Sequence, residues 1–145
     1  MNGELLNSLI KEFDLDTIPP AEVAAITLAY IGDAVYEVVT RTIVTSGGNR
    51  RINAIHKDNV KYVSAVSQAK IADFLEDKLS EEELEQYKRG RNAKTATSAK
   101  NASLTQYHKA TGFEALIGFL FLSKKNDRIL ELCKLGFKEL GLIKE

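Results

Sequence analysis

Nowhere along this chain do apolar and polar residues alternate for long enough to build a half-buried strand. Apolar residues recur every three or four positions instead, the period of a helix packed on one face. The expected fold class is therefore all-α. Leu5, Leu6, Leu9, Ile10 and Phe13 form a short amphipathic arm that Pro19-Pro20 ends, so residues 1–19 read as an amino-terminal arm and 21–142 as the core. Pro20 suits a first helical turn, and a helix rich in alanine and branched residues follows to about Thr45, before Gly47-Gly48. Ile55, Val60, Val63, Val66, Ile71, Phe74 and Leu75 mark a long third helix, expected to cross the centre of the domain. Ser80-Glu81-Glu82-Glu83 is a capping box that opens a short helix, expected to stop at Gly90. A polar segment from Lys94 leads through a modest helix to the apolar segment 111–122, and Asn126 is expected to cap a last helix ending near Gly141.

With 145 residues and 44% hydrophobic content, the chain suits one compact domain spanning 1–145. Its 20 basic and 20 acidic residues cancel, so any affinity for nucleic acid has to come from a local patch. Cys133 is the only cysteine and lies among Leu130, Leu132 and Leu135, which excludes a disulfide framework and a cysteine-ligated zinc site and places it in the core. The longest apolar run, 115–122, falls far short of the roughly 18 to 20 residues a bilayer requires. Glu4, Glu12 and Asp14 near the amino terminus are unlike a secretory signal, so the expected setting is the cytoplasm, with no membrane partner.

Two acids stand out against this pattern. Asp33 lies within Ile31-Gly32-Asp33-Ala34-Val35 and Glu114 within Phe113-Glu114-Ala115-Leu116-Ile117-Gly118, where a carboxylate is expected to be buried and to need a cation, a hydrogen-bond network or a proton. A glycine inside a helix costs about 1 kcal/mol relative to alanine. Gly32 beside Asp33, and Gly112 and Gly118 around Glu114, therefore point to close approach by another helix or a ligand. A partly exposed Asp33 paired with Arg41 or a distant lysine, and Glu114 paired with a lysine, are the structural alternative. Hard divalent cations such as magnesium take oxygen ligands, often one or two carboxylates completed by water and phosphate. Asp33 and Glu114 on facing helices meet that description. Glu37, one turn beyond Asp33, is expected to form a surface salt bridge.

Leu28-Ala29-Tyr30-Ile31-Gly32-Asp33-Ala34-Val35 and Thr111-Gly112-Phe113-Glu114-Ala115-Leu116-Ile117-Gly118 resemble the two signature motifs of the ribonuclease III family's nuclease domain. The resemblance implies a single helical domain of that type, acting as a homodimer that hydrolyses double-stranded RNA and leaves 5′-phosphate and 3′-hydroxyl ends. It also implies magnesium as cofactor, with manganese able to substitute, and Asp33 and Glu114 as catalytic, metal-binding acids. Longer members carry glutamates at the positions of Ile26 and Ala29 and an aspartate at that of Thr111, and they continue into a double-stranded-RNA-binding domain for which no room is expected here. Both departures resemble the family's short bacterial branch, Mini-ribonuclease III, which is associated with maturation of the large ribosomal RNA precursor. A non-catalytic RNA-binding module on the same fold is the alternative.

Without a separate RNA-binding domain, the nuclease domain has to hold the duplex itself. Lys88, Arg89, Arg91, Lys94, Lys100 and Lys109 fall in a stretch that contains no acid, with neutral hydrogen-bonding residues between them. That composition suits the phosphate and 2′-hydroxyl contacts by which A-form RNA is recognised. The first five are the candidate RNA-binding set.

Overall fold

The computed structural model describes residues 3–93 and 103–144, and every regular element among them is helical. In chain order these are α1 (Glu4–Glu12), a 3-10 turn (Pro20–Glu22), α2 (Ala25–Thr45), α3 (Ile52–Val63), α4 (Ala65–Leu75), a second 3-10 turn (Glu76–Lys78), α5 (Glu81–Arg91), α6 (Leu104–Leu122) and α7 (Asn126–Glu139).

The centre of the domain is α6, not the third helix. From Ala110 to Leu120 only Glu114 escapes burial, so this part of the helix has no solvent face and is packed among α2, α4, α5 and α7. It is also one continuous helix rather than a modest helix followed by a second segment. Ser103 and Gln106 form a reciprocal capping box that fixes its start.

The expected long third helix is two helices. Ser64 leaves helical geometry at φ −60°, ψ 150°, and its hydroxyl accepts the Ser67 N–H at 3.1 Å, which ends α3 and caps α4. The apolar spacing continues across the break, which is why it reads as one element in sequence.

Glycines set how closely the helices approach. A methyl group at Gly32 would overlap the carbonyl oxygen of Glu114, and one at Gly118 would overlap that of Leu28, so α2 and α6 meet backbone to backbone. Gly90 does not stop α5, which runs on to Arg91. It lies against Ala115 and Gly112, where a side chain would collide with α6. Around these crossings the core closes on Tyr36, whose ring meets Phe113 edge to face at 5.2 Å and whose hydroxyl donates to the Tyr62 carbonyl at 2.7 Å. Cys133 is buried in the same core.

At the carboxyl end Lys125, not Asn126, is the N-cap of α7, and Gly141 follows the helix at φ +70°. Of the arm's apolar stripe, Leu6 alone is buried, while Leu5 and Phe13 are each 66% exposed. Leu5 and Leu9 line an open apolar groove with Val35 and Val38 of α2 and Leu130 of α7.

Candidate functional site

The contact of α2 and α6 through Gly32 and Gly118 brings the two singled-out acids together. Asp33 follows Gly32 and Glu114 supplies the carbonyl that Gly32 faces, so their side chains leave the crossing side by side and share a hydrogen bond. Their surroundings differ, contrary to the expectation that both are buried. Asp33 is exposed, because α2 carries it on the rim of the crossing. Glu114 reaches solvent only in part, and its carboxyl is pushed up to about 8 by burial first and by the charge of Asp33 second. The hydrogen bond with Asp33 and the charge of Glu37 raise it further, and a hydrogen bond from Gln68 opposes them.

Neither acid is matched with a cation among the described residues. Arg41, the alternative partner for Asp33, instead bonds Glu37 Oε1 through Nε at 2.8 Å. Asn59 Nδ2 donates to the same oxygen at 3.0 Å. Glu37 thus forms the expected surface salt bridge, and it adds negative charge to the site without sharing the Asp33–Glu114 hydrogen bond.

Asn59 and Gln68 are the residues that sequence reasoning missed. They are 4% and 3% exposed, on α3 and α4 respectively, and the turn at Ser64 lets these two helices each face the acids. The one signal in the sequence is a polar amide at a position where the helical spacing leads inward.

Two carboxylates that approach each other with no cation between them form a donor set that a hydrated hard ion fits, since such an ion removes their repulsion and keeps water on its open positions. Among the described residues no cluster of three or more histidines, cysteines and acids of metal-binding kind occurs. The three positions where acids are absent are consistent with this sparse set. Ala29 is buried, Ile26 is 43% exposed, and the buried Thr111 commits its hydroxyl to the Tyr107 carbonyl at 3.0 Å.

The basic residues divide sharply. Lys88 is exposed on α5. The Arg91 guanidinium lies 5.6 Å from the centre of the Tyr87 ring, and its Nε donates to Asn92 at 3.3 Å. Arg89 is held from beneath, donating to the carbonyls of Ala21 at 3.3 Å and Val23 at 3.0 Å and to Gln86 at 2.6 Å. It ties α5 to the turn that leads into α2. Lys109 pairs with Asp73 at 2.8 Å. Lys94 and Lys100 lie outside the described residues.

Residues 26–125 match the family model of the ribonuclease III domain. The chain is 45% identical over 111 residues to the Mini-ribonuclease 3 of Clostridium tetani, covering 76% of this chain and 74% of that one. It is likewise 45% identical over 118 residues to the Mini-ribonuclease 3 of Enterococcus faecalis, covering 80% and 89%. A crystal structure of a protein from Fusobacterium nucleatum superposes with a TM-score of 0.77 at 27% identity, covering 84% of this chain and 99% of that one.

Proposed function

The chain belongs to the ribonuclease III family, in its Mini-ribonuclease 3 branch, and is an endoribonuclease; from this we propose that it cleaves double-stranded RNA with magnesium held by Asp33 and Glu114. The observation that carries the reading is the close crossing of α2 and α6, which sets the Glu114 carboxyl beside Asp33 with no cation among the described residues to relieve it. A bound divalent ion supplies charge stabilisation at the scissile phosphate and lowers the pKa of its own water.

The remaining contributions come from the chain itself. Asp33, on the exposed rim, is the acid that RNA phosphate reaches, while the sheltered Glu114 holds its carboxyl against it. Backbone contact at Gly32 and Gly118 fixes the separation of the two acids, so little reorganisation is left for the reaction. Lys88 and Arg91, with Lys94 and Lys100 beyond them in sequence, contact the phosphates of the duplex, and Arg89 holds α5 in place below them.

The same reading takes residues 1–145 as one nuclease domain with an arm at 1–19 and a core at 21–142, working in the cytoplasm as a homodimer. Exposed apolar side chains on α2, α1 and α7, among them Tyr30 at 82% and Val38 at 67%, favour burial against a second copy. The large ribosomal RNA precursor is the target that the family resemblance implies. Among the described residues no helix is long and apolar enough to cross a membrane.

Purified protein incubated with duplex RNA tests the reading. Magnesium-dependent scission that leaves 5′-phosphates, stops with chelator and is lost in Asp33→Asn and Glu114→Gln supports it. Binding without scission turns the chain into an RNA-binding module. Full cleavage by either variant removes that residue from the site.

A further inference from the structure

The buried amide of Gln68 has no part in the function as described, and its setting is unusual. It is 3% exposed, its Nε2 donates to the Val63 carbonyl at 2.9 Å, and its side chain lies against the Glu114 carboxyl, which it holds lower than burial alone would. The amide oxygen is buried with no partner. A leucine here would fill similar space without the unmatched oxygen but would take the donor from the Val63 carbonyl, so the amide carries one satisfied group and one that costs stability. The Val63 carbonyl stands at the end of α3, where the chain turns at Ser64, so the amide is anchored on the backbone of one helix while its own helix, α4, packs on α6.

The chemistry of the donor matters. A lysine or arginine at this position would pair with Glu114, as Arg41 pairs with Glu37, and would compete with a metal ion there. An apolar residue would leave the carboxylate free to rotate. A neutral amide fixes the direction of the carboxylate and leaves its charge in place. We propose that Gln68 is a positioning residue for divalent-cation binding, its amide aiming the Glu114 carboxylate at Asp33 from an anchor on the Val63 carbonyl. This rests on the reading of Asp33 and Glu114 as metal ligands.

The test is manganese binding to the RNA-free protein, followed by electron paramagnetic resonance through loss of the free-ion signal. It is run on the unaltered chain, Gln68→Leu, Gln68→Met and Asp33→Asn, each checked for folding by circular dichroism. In Gln68→Leu, manganese affinity is expected to fall about 10- to 100-fold, the range seen when residues that orient metal ligands are removed. Duplex-RNA affinity measured in chelator is expected to stay unchanged, and kcat is expected to recover in part as metal is raised. Unchanged manganese affinity in a folded Gln68 variant, alongside weakened binding in Asp33→Asn, overturns the role of Gln68 alone. Unchanged affinity in Asp33→Asn as well overturns the metal site on which it rests. If neither Gln68 variant folds, the amide is a folding element and the proposal is also overturned.

Discussion

Two glutamates on neighbouring helices have met opposite fates. Glu83, 7% exposed at the start of α5, accepts from Arg128 Nε at 2.8 Å and Nη2 at 2.9 Å and from the Ser80 N–H at 2.8 Å. Burial pushes its carboxyl up, but Arg128 and Ser80 outweigh that and hold it below the usual carboxylate range. Glu114 faces Asp33 instead of an arginine and is pushed up to about 8. The same side chain is thus complete in one place and left short of positive charge in the other. A fold that can surround Glu83 with donors leaves Glu114 without a cation among the described residues, where a visiting ion would supply one.

The largest expected effects come from neutralising each acid in turn. Glu114→Gln removes a proposed metal ligand, and losing several kcal/mol of transition-state stabilisation corresponds to about 1,000-fold or more in cleavage rate. Its metal-free form should melt no lower than the unaltered protein, because below about pH 8 Glu114 already holds a proton and the neutral amide stands in its place. Glu83→Gln should do the reverse. It removes the charge that Arg128 meets, and because Arg128 keeps Glu131 and the Lys78 carbonyl the loss is about 1.5 to 3 kcal/mol, or roughly 5 to 10 °C in melting temperature for a domain of this size. Cleavage per folded molecule should be kept. Calorimetry with single-turnover cleavage on both variants decides it, and the contrast breaks if the two variants lose stability and activity alike.

The pH dependence of stability separates the acids next. For Glu114 the folded value of about 8 lies above the unfolded one, so between them the folded state holds a proton that the unfolded state has lost. Stability of the metal-free protein should therefore fall as pH rises from the unfolded value through about 8 and level off beyond it. The loss is at most a few kcal/mol at about 1.4 kcal/mol per unit, and less where solvent reaches the group. Glu83, held below its unfolded value, stabilises the fold above that value, and its contribution is lost as pH falls through the folded one. Urea unfolding at about pH 6 and about pH 8.5 measures the alkaline limb. Glu114→Gln should flatten that limb, and magnesium should restore more stability at the higher pH. An alkaline limb that survives Glu114→Gln would assign it to another group.

Much of this contrast could be read in the sequence, and the reason it stops where it does is physical. The Ser80 and Glu83 capping box is local, fixed by residues three apart, and it forms as expected. Gly32 and Gly118 advertise a close crossing because nothing else justifies glycine inside an apolar helix, and the crossing is there. What local pattern does not carry is which side of the crossing each acid falls on. Asp33 and Glu114 look alike in sequence, yet one lies on the rim and the other in the wall. Arg128 meets Glu83 from 45 residues away, a pairing that no spacing rule supplies. Asn59 and Gln68 were hidden by the turn at Ser64, across which the apolar period runs on as if the helix were unbroken.

The smallest expected effect tests whether the same distinction, engaged against free, holds for cations. Arg89 is committed to the carbonyls of Ala21 and Val23, while Lys88, its neighbour on α5, is exposed. A cation that meets a phosphate releases about one counterion, so Lys88→Ala should weaken duplex-RNA binding and reduce the slope of log affinity against log salt by about 1. Arg91→Ala should do likewise. Arg89→Ala should instead lower the melting temperature by loosening the turn before α2, and leave the salt slope of the folded protein unchanged. Titrations at several salt concentrations in chelator, which prevents cleavage, measure all three. A reduced slope for Arg89→Ala would mean that the guanidinium leaves its carbonyls for RNA, and then engagement in the free protein would be no guide to which cations the duplex meets.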